Sequence, residues 1–448
     1  MMGYYIRLAI RGLRRNVALT ALMIVAVGVG IGASMTMLTT LRAMSADPIP
    51  DKDSKLFVPQ IDTWGPDSRH GEQDDRLQDQ LSYGDAMALM RAHRGARQTA
   101  MYAVSMDVSP EGAAAGTATS AKPFQASGRA AYNDFFSMFE VPFRSGGPWG
   151  AVDDEHGANV VVLSGRLADR VFPGTDAVGK TISLDGRDYR VVGVLKPWSP
   201  LPHYYDLTQS AFTAMEDFYL PFAMAIDRHL ESYGNNNCRA APSPGWEGRL
   251  NSDCVWLQFW VELPGAAAAR DYRAFLANYA AQQRLSGRFH WTDRVELHDV
   301  REWMVQNKVV SDEVKVNTMI GAGVLAVCLI NAIGLMLAKL ASRAADLGIR
   351  RALGGSRRDI FLQCMSETAV VGLLGGVLGL VLTAVGLAAN RALLAPVAKH
   401  ISLDSLTRLD TGMVGITLAV AIFSTLCAGL YPTWRATSVQ PAWQLKAG

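Results

Sequence analysis

Residues 16–41 read NVALTALMIVAVGVGIGASMTMLTTL, without a charged side chain, directly after the basic start Arg7, Arg11, Arg14 and Arg15. About 20 helical residues cross a hydrocarbon core roughly 30 Å thick. In lipid a backbone must satisfy its own hydrogen bonds, so such a run is read as a helix. Three more charge-free runs follow, Val316–Ala338, Thr368–Asn390 and Thr411–Trp434. Buried helices of a soluble protein are the competing reading, and four such runs, each ending at a charge, weigh against it. A cleaved signal peptide competes for the first run. That run is too long for one, and no clean A-x-A-like site follows it. The sequence therefore predicts an α-helical membrane protein with four transmembrane helices and a large extracytoplasmic α+β domain inserted between helices 1 and 2.

Basic flanks stay inside. Residues 1–15 carry four Arg and no acid, and residues 339–367 hold Lys339, Arg343, Arg350, Arg351, Arg357 and Arg358. The tail 435–448 adds Arg435 and Lys446, whereas the opposite short loop, 391–410, has Arg391, Lys399 and Arg408. Both termini are thus expected in the cytoplasm, with residues 42–315 outside. Net charge is +2, from 43 basic and 41 acidic residues, which gives no electrostatic footprint for nucleic acid. Cys328 and Cys427 fall in spans and Cys364 at a cytoplasmic edge. The outer pair, Cys238 and Cys254, is close in sequence and is expected to form a disulfide in an oxidising compartment.

The two ends of the outer domain look alike. Lys55–Ile61, Ser82–His93 and Met101–Val108 read as strand, helix and strand. Val255–Leu263, Ala268–Leu285 and Arg294–His298 repeat the pattern. Two related α+β halves, about 45–125 and 255–300, are expected around a β-rich middle of about 126–254. There Val160–Leu163, Thr181–Leu184 and Tyr189–Val194 read as strands, with Asp185-Gly186 as a hairpin turn. Gly65–Asp79 reads as a polar loop. Gly174, Gly179, Lys180 and Thr181 fit G-x-x-x-x-G-K-[ST]. A phosphate loop needs a strand before it and a helix after it. Here a helical pattern, Leu167–Phe172, precedes and a strand follows, so the reading is a tight turn. The eight His form no H-x-x-x-H or H-E-x-x-H pair, and no catalytic set or metal site emerges.

Gly28 with Gly32 and Gly372 with Gly376 stand at G-x-x-x-G spacing, which suits close helix packing. The cytoplasmic stretch Arg343–Thr368 reads RAADLGIRRALGGSRRDIFLQCMSET. Leu347, Ile349, Leu353, Ile360 and Phe361 alternate with Arg350, Arg351, Arg357 and Arg358, broken by Gly354-Gly355. On pattern alone two readings stand level: a short amphipathic helix that meets a cytoplasmic partner, or a basic loop that sets topology.

The run Leu347-Gly348-Ile349-Arg350-Arg351-Ala352-Leu353-Gly354 with Arg357-Arg358-Asp359-Ile360 resembles the signature of MacB/FtsX-type ABC transporter permeases. Glu367, Gly375-Gly376…Gly379 and the tail Tyr431–Ala436 with Pro441 fit the same family. Phe135–Pro142, and Val161 through Phe172-Pro173-Gly174, Gly179-Lys180-Thr181 and Val191–Val194, resemble its MacB-like periplasmic core domain. Asp346 and Gly355 stand where many relatives have Glu and Ala, and the resemblance does not extend to Leu201–Cys254. It implies a non-catalytic permease subunit of the cell inner membrane. ATP and Mg would be bound by a separate cytoplasmic ABC ATPase dimer, with no cofactor in this chain, which starts almost at helix one. The implied partners are a second permease subunit, identical or not, a periplasmic adaptor and membrane lipid. Leu347, Ile349, Leu353, Arg350, Arg351 and Arg357 are the expected ATPase contact. Arg301–Lys315 is expected to run into helix two as a helical stalk, and the charge-free spans to hold no ion pair. The outer domains would then move to export or extract a periplasmic or membrane substrate. The alternative is an ATP-driven transmembrane signalling scaffold that regulates a periplasmic enzyme.

Overall fold

The computed structural model describes residues 16–64, 76–109, 122–238, 240–291, 294–344, 349, 354, 356–394 and 411–438. The basic start, most of Gly65–Asp79, residues 395–410 and the tail after 438 lie outside these. In chain order the elements are α1 (Val17–Met44), β1 (Leu56–Ile61), β2 (Leu81–Ser82), α2 (Tyr83–Ala92), β3 (Arg97–Ser109), β4 (Phe124–Ala131), α3 (Asp134–Met138), β5 (Phe143–Gly146), α4 (Ala151–Glu155), β6 (Val160–Leu163), α5 (Gly165–Val171), β7 (Thr181–Leu184) and β8 (Arg187–Leu195). There follow β9 (Phe218–Pro221), α6 (Phe222–Asp227), α7 (Trp246–Leu250), β10 (Val255–Glu262), α8 (Ala266–Leu285), β11 (Val295–Asp299), α9 (Val300–Gln306), α10 (Asp312–Ala341), α11 (Arg357–Leu394) and α12 (Thr411–Ser438). They form two compact units, Ala46–Val309 and the remainder.

In the helical unit α1, α10, α11 and α12 are each long and apolar enough to cross a membrane. Each outruns its charge-free run, and at the starts of α10 and α11 a local cap, not an apolar residue, sets the helix end. Ser311 Oγ accepts from Val314 N, and Asp312 and Glu313 complement the dipole at the start of α10. Ser356 and Asp359 cap α11 reciprocally, with Asp359 N 3.2 Å from Ser356 Oγ and Ser356 N 3.3 Å from Asp359 Oδ2. From Arg357 onward the amphipathic segment before span three is the opening of α11 itself. No Pro interrupts residues 357–394.

The glycine pairs sit where backbones meet. A Cβ on Gly28 or Gly32 would lie 2.8 Å from Leu378 Cγ or 2.7 Å from Leu382 Cβ of α11. One on Gly372 or Gly376 would lie 2.0 Å from Thr425 Oγ1 or 2.8 Å from Ala421 Cβ of α12. The continuous stalk is not found. Helix α9 ends at Asn307, Lys308 turns left-handed with φ 49°, and Ser311 starts a new helix. Asn, a left-handed residue and a Ser cap outweigh the lack of Pro or Gly there.

Among the described residues the other unit is built on one 11-stranded sheet, nine strands of it in the order β11-β1-β10-β3-β4-β9-β6-β8-β5, with β2 paired to β10 and β7 to β3 and β8. The four strands of the two similar ends interleave. β1 lies between β11 and β10, and β10 between β1 and β3, all antiparallel. This is a split β–α–β pair with its four strands in the order 4-1-3-2. β4 pairs along β3 and carries the sheet onward into the middle of the domain. Both faces are covered. Ala86, Leu89, Tyr272 and Leu276 of α2 and α8 pack over Tyr102, Trp256 and Phe259 on one face. Phe135, Tyr204, Tyr205 and Trp303 pack over Met101 and Trp260 on the other. That double burial is why β10, VWLQFWVE, reads as a nearly unbroken apolar run. The G-x-x-x-x-G-K-T stretch joins α5 to β7, and Gly174 and Gly179 take φ of 72° and 85° in its turns.

Candidate functional site

Of the six residues expected to contact an ATPase, Leu347, Arg350, Arg351 and Leu353 lie outside the described residues. Ile349 is helical and 51% exposed, and Arg357 is exposed in the first turn of α11. Below them the chain is firmly anchored. Ile360 and Cys364 of α11 pack on Leu340 and Met336 of α10, which holds the start of α11 against the end of α10.

Beside this apolar anchor stands a cluster of charge that the sequence reading did not foresee. Lys339 Nζ lies 3.5 Å from Glu367 Oε2, and both side chains are almost fully buried. Arg343 Nη1 donates to Glu367 Oε2 at 3.1 Å and Oε1 at 3.3 Å. Lys339 Nζ also donates to Thr20 Oγ1 of α1 at 3.1 Å. Lys339 and Glu367 stand just outside the charge-free runs 316–338 and 368–390, and they come together because α10 and α11 extend past those runs. The legible signal was a lone acid opening one apolar run and a lysine closing the run before it. A cavity of about 30 Å³ adjoins the cluster, bounded by Met23, Met336 and Thr425.

A second buried cluster lies within the sheet domain. Arg129, in the middle of β4, donates from Nε to Glu216 Oε1 at 2.6 Å and from Nη2 to Asp206 Oδ2 at 2.7 Å. Tyr205 and Tyr219 donate to Glu216 Oε2 at 2.8 and 3.3 Å. Burial works against the Glu216 carboxylate, but Arg129 and His203 outweigh it and hold its pKa down at about 2. Burial, with Arg129 nearby, pushes His203 below its usual value, against the pull of Glu216 3.6 Å away. The cluster fastens residues 203–216 to β4, and so explains part of the segment that the sequence left unread.

Downstream, Cys238 and Cys254 are joined with an S–S distance of 2.03 Å. Arg249 pairs with Glu231, donates to Ser232 Oγ and Asn236 Oδ1, and lies 4.6 Å over the Trp256 ring. These bonds tie residues 231–254 to β10. Among the described residues, no group of three or more His, Cys, Asp and Glu could hold a metal ion.

The family model for the MacB-like periplasmic core domain matches residues 20–274, and that for the FtsX-like permease C-terminal region matches residues 318–441. The ABC transporter permease YvrN of Bacillus subtilis (strain 168) is 21% identical over 322 residues, 69% of this chain and 67% of that protein. The macrolide export ATP-binding/permease protein MacB of Agrobacterium fabrum (strain C58 / ATCC 33970) is 24% identical over 314 residues, 69% of this chain and 41% of that protein. The chain thus spans less than half of that relative's length. Among solved structures, the periplasmic region of MacB from Actinobacillus actinomycetemcomitans aligns with 59% of this chain and 98% of its own length, at 12% identity and a TM-score of 0.36.

Proposed function

This chain belongs to the MacB/FtsX-type ABC transporter permeases, and from that premise we propose that it couples ATP hydrolysis by a separate cytoplasmic ATPase to motion of its outer domain. The observation that carries the reading is the order of its parts. A compact sheet domain, Ala46–Val309, is inserted between α1 and α10, and the family's basic loop lies between α10 and α11. Force applied to that loop meets helices of the bundle whose chain leads into the outer domain at both of its ends.

In this reading the chain lies in the cell inner membrane with both termini in the cytoplasm, beside a second permease subunit. Leu347, Ile349 and Leu353 fill a groove on the ATPase, and Arg350, Arg351 and Arg357 pair with its acidic rim. Hydrogen-bonded helices carry displacement where a loose linker would absorb it. The break at Asn307–Ser311 makes the α10 connection a joint, so α10 can move the domain while the two change angle. Export or extraction of a substrate at the outer face follows from that motion, and the substrate need not pass through the spans.

The test is Leu353→Asp in the complex of full-length chain and ATPase in lipid. Stimulated ATP turnover should fall to the level of the ATPase alone, with membrane insertion unchanged. Normal turnover would remove this contact from the account.

A further inference from the structure

Lys339 and Glu367 are almost fully buried beside apolar side chains such as Met336, Leu340 and Cys364, a setting in which charge is costly unless it is paired. A buried ion pair persists there because each partner satisfies the other and their remaining hydrogen-bonding atoms find partners. Glu367 accepts from Arg343 and lies within ion-pair distance of Lys339, while Lys339 reaches on to Thr20. Lys339 lies in the last turn of α10, and Arg343 lies in the turn just past its C-cap, Ser342. Their roles differ. Arg343 ties the turn after α10 to α11, whereas Lys339 ties the end of α10 to α1. Elsewhere α1 meets α11 through Gly28 and Gly32 against Leu378 and Leu382, contacts of shape between apolar atoms. The adjoining cavity, about the size of one water molecule, leaves the ammonium room to shift without displacing packed side chains.

We propose that Lys339 is a positioning residue for energy coupling, the link by which displacement of the cytoplasmic segment 345–356 reaches α1. The inference rests on the function proposed above and adds the route. Glu367 gathers the end of α10 and the turn after it, Lys339 passes their motion to Thr20, and α1 runs from there to Met44.

The test uses the full chain in lipid nanodiscs with the ATPase that co-purifies with it, spin-labelled at Val17→Cys in a Cys427→Ala background. Val17 is 63% exposed and one turn before Thr20. The readout is the change in the label's spectrum on addition of ATP, Mg and orthovanadate. Lys339→Met breaks the bond to Thr20 but leaves Glu367 paired with Arg343. Arg343→Met does the reverse. The response should fall at least fivefold in Lys339→Met and stay within twofold of the parent in Arg343→Met, with the ATPase bound equally by both. Thr20→Val, which removes a single hydroxyl, should repeat the loss and serves if Lys339→Met does not fold. A full response in Lys339→Met or Thr20→Val, or equal losses in both cation variants, would overturn the proposal. A parent chain that binds no ATPase, or whose label ignores ATP, would instead overturn the function on which it rests.

Discussion

Arg129 stands in β4 with carboxylate oxygens of Glu216 and Asp206 within 2.7 Å, and all three side chains are at most 5% exposed. Its removal would strand two buried negative charges, a loss of roughly 3–5 kcal/mol for a broken buried pair. Arg129→Met should therefore lower the unfolding temperature of the outer domain by about 10 °C, as followed by tryptophan fluorescence of the full chain. An unchanged transition would mean that the cluster is not held as described. In the sequence this residue was an Arg among small side chains in FQASGRAA, a stretch whose weak alternation gave no strand. Nothing in spacing joins it to Asp206 or Glu216, more than 70 positions away. The cysteine pair was legible because two thiols 16 positions apart in an outer domain have few other fates.

At the scale of elements, the glycines of α10 and α11 separate two kinds of position. At Gly376 an added Cβ would lie 2.8 Å from Ala421 Cβ, and neither atom can rotate away. At Gly323 and Gly334 of α10 nothing lies within 4 Å. Gly376→Val should destabilise the helical unit by about 1–3 kcal/mol, as overpacking does, and Gly323→Ala should not. Thermal melts in detergent would show the difference, and equal melts would contradict the α11–α12 contact. The G-x-x-x-G spacing revealed which residues are small, but not which helix each one meets. Helix limits were less legible than helix existence, because Ser311 and Ser356 act through cap geometry that a hydropathy run does not contain. The expected stalk failed for the same reason: Asn307, Lys308 and Ser311 end one helix and start another without Pro or Gly.

For the whole molecule, four apolar runs and their basic flanks were enough to read a domain inserted between the first and second spans. The interleaving of its two ends was hidden, since strands from residues 56–61 and 255–262 become neighbours only through long-range pairing. So was the continuation of one sheet through the middle, where β4 and β9 pair in parallel over four residues. Placement of the basic loop and the sheet domain on opposite sides of the membrane is the premise of the coupling scheme. Single cysteines at Ser356→Cys and Ser286→Cys, in a Cys427→Ala background, can be challenged with an impermeant maleimide on intact spheroplasts. Ser286→Cys should react at once and Ser356→Cys should react after the membrane is opened. Reaction of Ser356→Cys on intact spheroplasts would contradict the account.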